Sequence, residues 1–416
     1  MLDRTLRAAS VALALLTPGL VFAEDQTGTN TNTNTNTNTT DVPATIDKIL
    51  GASGIAVSGY LDGSYKYIDR TNPSAVRVFT TQQNSFTLNQ AALQIAKQPK
   101  EGFGGLINVM AGSDASIFSS YPYNNGPSNN QFDVTQAYGQ YASGPFTVIA
   151  GKFTTLQSYE VIWAPANSNT SRSILFGAVP FTHTGVRVSY VENDKLTWIG
   201  GVNNGWDQVS ATTSSKTIEL GTVITPTKAL SITLSDLNGQ ALSTANAVPT
   251  PAEADAKGPY GERNSFDAVV TYTVSDPLSF GAEYLNVSQD NYQAYTGATP
   301  VLARYDGFAL YATYLFTPQW RLALRGENFQ DRNGFHFLGT AGCASGGACV
   351  DPAQPYAGQS TTYREFTATL SWLKTEHVEL RAEVRGDHAS NAVFLESSGT
   401  RNSTMMSFAV EGLYKF

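Results

Sequence analysis

The sequence predicts an all-β fold, a transmembrane antiparallel up-and-down β-barrel of about 16 strands with short periplasmic turns and long extracellular loops. Three observations carry that expectation. Apolar residues recur with period two from Gly54 onward, the links between candidate strands alternate short and long, and the last strand ends on an aromatic residue in phase with its apolar face. Composition agrees. Charged residues are 14% of the chain, against roughly 25% in soluble domains, yet mean hydropathy is slightly negative at −0.19. Strands that face lipid on one side and water on the other have this balance.

The N-terminus precedes that pattern. Arg4 and Arg7 open it, Ala8 to Leu16 is a short apolar run, Pro18 breaks it, and Val21-Phe22-Ala23 offers small residues at −3 and −1. This reads as a secretory signal over 1–23, cleaved between Ala23 and Glu24. The apolar run is too short for a spanning helix, which needs about 20 residues. Residues 24–53 form a linker. Thr29 to Thr39 alternates Thr and Asn with nothing to bury, and 42–52 is either a short periplasmic helix or more linker. The barrel domain is 54–416.

Sixteen strands follow, at 55–68, 86–97, 103–112, 132–142, 146–154, 184–191, 196–204, 217–225, 230–237, 265–274, 278–287, 307–316, 320–329, 364–373, 378–387 and 404–416. Most approach the 9–11 residues a tilted strand needs to cross a bilayer. In 378–387, Val378, Leu380, Ala382 and Val384 share one face and Glu379, Arg381, Glu383, Arg385 and Asp387 the other. Trp320, Leu322 and Leu324 likewise oppose Arg321, Arg325 and Glu327. In 86–97, Phe86 and Leu88 are out of phase with Leu93 and Ile95, which predicts a bulge or a different start.

Links after even-numbered strands are short, such as 143–145 and 275–277. Links after odd-numbered strands are long, such as 155–183 and 330–363. That alternation places the short turns in the periplasm and the long loops outside. Cys343 and Cys349 fall in the seventh long loop, and in an exported chain a local disulfide is expected. Trp198, Trp320, Trp372, Tyr190, Tyr272 and Tyr414 lie near strand ends on the apolar face, which suits interfacial girdles. The terminal strand, with Tyr414 and Phe416 on its apolar face, is similar to the recognition signal of the barrel assembly machinery.

A set of phrases in the first half adds a resemblance: Ser58-Gly-Tyr-Leu-Asp-Gly-Ser-Tyr65, Asn84-Ser-Phe-Thr-Leu-Asn-Gln-Ala91, Phe132-Asp-Val-Thr-Gln-Ala-Tyr138, Gly151-Lys-Phe153, Ser171-Arg-Ser-Ile-Leu-Phe176, His183-Thr-Gly-Val-Arg187 and Asn203-Asn-Gly-Trp-Asp207. Together they resemble the OmpL-like β-barrel porins of Gram-negative outer membranes. The resemblance implies an outer-membrane porin with no defined solute and no catalytic residues.

The residues point the same way. Net charge is −8 with no basic patch, so no nucleic-acid partner is expected. Standard catalytic, cofactor and metal motifs are missing, so neither a cofactor nor a metal is expected. His388-Ala-Ser390-Asn391 is similar to a stretch of outer-membrane phospholipases, but it follows the strand, no third polar residue is identifiable to orient the His, and it reads foremost as plain loop. The polar face, taken as inward, carries Asp62 and Lys66 on the first strand, Lys152 on the fifth, Arg187 on the sixth and Glu219 on the eighth. Asp267 and Glu283 follow on the tenth and eleventh, with Arg321, Arg325 and Glu327 on the thirteenth and Glu365 on the fourteenth. Glu379, Arg381, Glu383, Arg385 and Asp387 lie on the fifteenth, and Glu411 and Lys415 on the last. Charges facing lipid cost ~2–4 kcal/mol each at the midplane, which fixes this phase. They read either as a charge-selective constriction or as ion pairs bracing the wall. Loop 155–183, with Tyr159, Glu160, Trp163 and Arg172, either folds into the lumen or caps it.

Sixteen strands suffice for an aqueous channel, which implies passive diffusion of small hydrophilic solutes. A receptor or structural barrel with a blocked lumen, or a lipase, is the alternative. Expected partners are outer-membrane lipid and lipopolysaccharide, the assembly machinery and the solutes, with a homotrimer left open.

Overall fold

In the computed structural model the described residues are 53–71, 76–80, 82–120, 131–211, 214–242, 260–292, 299–337 and 359–416. The signal segment with Ala23 and Glu24, the Thr/Asn linker, the 42–52 segment and the Cys343–Cys349 pair lie outside them.

Sixteen antiparallel strands close into one barrel. They are β1 Ala56–Ile68, β2 Ser85–Lys97, β3 Gly102–Ala111, β4 Phe132–Ser143, β5 Phe146–Thr154, β6 Thr182–Asn193, β7 Leu196–Asn203 and β8 Thr217–Thr227. Then follow β9 Leu230–Leu242, β10 Tyr260–Ser275, β11 Leu278–Tyr292, β12 Val301–Thr317, β13 Trp320–Asp331, β14 Thr361–Leu373, β15 Val378–Ala389 and β18 Thr404–Lys415. β18 pairs with both β15 and β1, and this closure leaves no free edge to lipid. The last long link holds a small hairpin, β16 Phe394–Leu395 with β17 Arg401–Asn402, and the link before β4 holds one short helix, α1 Ala115–Phe118. Among the described residues no helix is long and apolar enough to cross a membrane.

The two faces separate as the alternation predicts. On β15, Leu380 and Val384 are 43% and 50% exposed, while Arg381 and Arg385 are each 1% exposed. The phase break in β2 is a bulge. Asp62 pairs with Gln90 and Gly63 with Leu88, so Asn89 is the extra residue. Asn89 and Gln90 both point inward, and Phe86, Leu88, Leu93 and Ile95 are all exposed. The bulge therefore keeps two out-of-phase apolar sets on one outer surface.

Four strands run five or six residues further toward the long-loop rim than the hydropathy pattern indicates. β9 reaches Leu242 instead of 237, β10 begins at Tyr260 instead of 265, β11 reaches Tyr292 instead of 287, and β12 begins at Val301 instead of 307. The reason lies in their outward residues there: Asn238, Gln240, Glu262, Asn264, Ser288, Asp290, Arg304 and Asp306 are polar. The ladder continues while the alternation that reports it fades. His388 likewise lies on β15 and not beyond the strand.

Outward indoles and phenols gather at the short-turn rim. Trp320 stacks on Trp372 at 6.3 Å, Tyr190 meets Phe146 at 4.8 Å, and Trp198, Tyr272 and Tyr414 are exposed beside them.

Candidate functional site

The segment 155–181, between β5 and β6, leaves the wall and crosses to the far side of the barrel. A non-helical stretch inside a barrel has backbone N–H groups that no ladder satisfies. Here wall carboxylates accept them. The Ser158 amide donates to Asp267 at 3.1 Å and the Tyr159 amide to Glu283 at 3.2 Å. The Thr170 and Ser171 amides donate to Glu383 at 2.7 and 3.0 Å. The Ile174 and Leu175 amides donate to Glu327 at 2.8 and 3.2 Å. Charge-assisted bonds of this kind are among the stronger ones available to a backbone amide.

Side chains complete the path. Leu156 packs with Ile199 and Val223 on β7 and β8. The Tyr159 ring stacks on Tyr311 with centroids 4.0 Å apart. It lies over Gly281, where any Cβ would run into the ring. The Ala164 amide donates to Gln90 on β2 at 3.1 Å. Trp163 packs at the edge of a buried cluster with Phe79, Phe118, Phe176 and Phe181. Arg172 fixes the loop's own shape, donating to the Val161 and Ile162 carbonyls at 2.9 and 3.0 Å and lying over the Phe79 ring.

The predicted charges stand on the inner face, most of them buried and in ion pairs. Arg325 bonds Glu365 at 3.0 Å and the loop's Glu160 at 2.7 Å. Arg381 bridges Glu379 at 2.6 Å and Glu411 at 2.9 Å, and donates to the Asn167 carbonyl of the loop at 2.7 Å. Arg385 pairs with Asp387 at 2.7 Å and donates to the Arg172 carbonyl at 2.5 Å. Arg321 pairs with Glu379. A separate pair, Arg187 and Glu219 at 2.7 Å, lies over the Phe153 ring, and Lys152 pairs with Asp133 at 2.8 Å. Asp62 accepts from Asn89 at 2.9 Å, and Lys66 donates to the Phe79 carbonyl at 2.8 Å. Lys415, at the short-turn rim, is half-buried.

Four contributors escaped the sequence reading. Arg77, from the first long link, enters the barrel and pairs with Asp387, and burial lowers its pKa. Asp207 caps the far end of the loop, accepting the Phe181 and Thr182 amides at 2.9 and 2.8 Å, and burial pushes its pKa to about 7. Asp114, just before α1, accepts from Gln90 at 2.8 Å, and burial pushes its pKa to about 6. Asp133 was hidden by parity, because a register shift opposite Asn108 turns both Thr135 and Gln136 inward.

His388 and Ser390 both face outward and no hydrogen bond joins them. The Ser390 hydroxyl instead accepts the Thr362 amide at 3.0 Å, and Asn391 donates to Thr361 at 2.8 Å.

Residues 54–416 match the family described as "Putative beta-barrel porin-2, OmpL-like". No curated protein matches the chain. Among solved structures, the outer-membrane channel DcaP of Acinetobacter baumannii superposes with a TM-score of 0.57 at 12% identity, over 87% of this chain and 97% of that one. OprB of Pseudomonas putida gives 0.56 at 12% identity, over 90% and 97%. The anion-selective porin of Comamonas acidovorans gives 0.53 at 10% identity, over 87% and 99%. At these identities the likeness is one of fold.

Proposed function

Because the chain belongs to the OmpL-like β-barrel porin family of the bacterial outer membrane, we propose that it is a channel for passive diffusion of small hydrophilic solutes, narrowed by the 155–181 loop. The observation that carries this reading is the clamp itself. Wall carboxylates on β10, β11, β13 and β15 hold the loop backbone across the lumen. A loop fixed at many points leaves a passage of constant width, as a size filter requires. The charged wall then has two roles. Arg325, Arg381 and Arg385 brace the loop and the buried Arg187–Glu219 and Lys152–Asp133 pairs brace the opposite arc, while the half-buried Lys66 and Arg321 are inner-face charges with surface left to meet solute. The short turns lie in the periplasm and the long loops outside.

Reconstitution into a planar bilayer tests this. Stepwise conductance with little dependence on voltage sign is the expected result. Folded barrel that inserts silently would sink the channel reading. It would favour a closed receptor or structural barrel, which the aromatic cluster of Tyr292, Tyr305, Phe329, Phe335 and Tyr363 beneath the long-loop rim supports. OmpT of Vibrio cholerae, of the same fold, has been solved in a trimer form, and a homotrimer is proposed here too.

A further inference from the structure

Near the long-loop rim the outer apolar belt ends in a basic step. Followed through the register, one transverse row runs Leu310, Gly326, Phe366, Gly386 and Met406 across β12, β13, β14, β15 and β18. It is apolar throughout, and Phe366 is 58% exposed. The next row toward the long loops runs Phe308, Asn328, Arg364, His388 and Thr404. Arg364 and His388 are direct cross-strand partners, so their backbones are about 5 Å apart. Both are exposed.

Neither side chain has a hydrogen-bond or ion-pair partner among the described residues. The surrounding carboxylates are already engaged. Asp306, one row further out, is held by Arg332 at 2.7 Å. Asp69, on the β18 side, pairs with Arg70 at 3.1 Å and accepts the Met406 amide at 2.8 Å. Below Arg364 the outward Gly326 leaves a shallow furrow, because a Cβ there would meet nothing nearer than 3.9 Å. A guanidinium at the edge of hydrocarbon is costly without an anion, and anionic headgroups are the anions at that depth.

We propose that Arg364 and His388 bind a phosphate of the outer-leaflet glycolipid, whose acyl chain lies in the furrow between Gly326 and Phe366. The leaflet assignment rests on the orientation proposed above. The anion site itself does not. The His-x-Ser stretch thus contributes its imidazole to lipid recognition, while Ser390 serves the backbone of β14.

Native mass spectrometry on the whole protein, titrated with lipid A and with its dephosphorylated form, tests the site. Wild type should prefer the phosphorylated lipid by about tenfold or more, as charge-assisted bonds imply. The Arg364→Ala/His388→Ala double variant should lose that preference while keeping heat-modifiable folding. Gly326→Leu should weaken both lipids alike by filling the furrow. Equal binding of the two lipids by wild type, or an unchanged preference in the double variant, overturns the site. An epitope inserted after Ser398, in the exposed turn of the last long link, separates the orientation. Antibody binding to intact cells is expected. Binding only after lysis overturns the leaflet assignment, whatever the anion site does in vitro.

Discussion

At the residue scale, Arg325 and Asp207 make the sharpest predictions. Arg325 is fully buried between Glu160 and Glu365. Breaking a buried pair from one side strands a charge and costs about 3–5 kcal/mol. Arg325→Ala should lower the denaturant midpoint accordingly and raise single-channel conductance, because Glu160 loses its anchor. Unchanged conductance would mean that the remaining amide–carboxylate bonds suffice to hold the loop. Asp207 stays protonated to about pH 7, whereas a free Asp titrates near 4. The folded loop end therefore binds more protons than the detached one between those values, and its stability falls as pH rises from about 4 to about 7. The protection factors of the Phe181 and Thr182 amides, which divide out the intrinsic pH dependence of exchange, should fall across that window, and Asp207→Asn should abolish that fall.

At the element scale, the loop and the wall stand or fall together. Gly281→Ala places a methyl in the space of the Tyr159 ring and should displace the loop, changing conductance. Combining it with Tyr159→Ala should restore wild-type behaviour, since the second change removes the clash. If Gly281→Ala alone conducts as wild type, the loop accommodates a shifted Tyr159 without moving. The strands were legible in the sequence because lipid imposes a penalty on every outward charge, so Leu380 and Arg381 announce their faces. The far ends of β9 to β12 were not, because beyond the hydrocarbon a polar outward residue costs nothing and alternation carries no signal. The loop's clamps were illegible for another reason. Glu327 and Glu383 bind backbone amides, which every residue but proline has, so no spacing or residue type records the pairing. Charge placement could show that β13 and β15 are ionic, but not that their partner is the 155–181 segment.

At the scale of the whole molecule, the closure of β18 on β1 makes the C-terminus part of the seam. The Gly59 carbonyl accepts the Phe416 amide at 2.9 Å, and the Gly59 amide donates back to Phe416 at 2.9 Å. Deleting Phe416 should cut the yield of heat-modifiable barrel in the outer membrane, measured against total expressed protein. An undiminished yield would show that the recognition signal lies elsewhere in the strand.

The aromatic ring at the short-turn rim has a consequence for how the barrel sits in its bilayer. Indoles and phenols seek the headgroup level because one end is apolar and the other wet. The outward rings of Trp198, Tyr272, Trp320 and Tyr414 all lie at one rim, while at the opposite end the phenols of Tyr67 and Tyr284 stand among phenylalanines such as Phe86, Phe308 and Phe366, which have no polar handle. The indoles thus register immersion depth more firmly at one leaflet than at the other. When the membrane thickens or thins, the short-turn rim keeps its level and the mismatch is taken up mainly at the other end, along β9 to β12, where the outer face grades from apolar to polar.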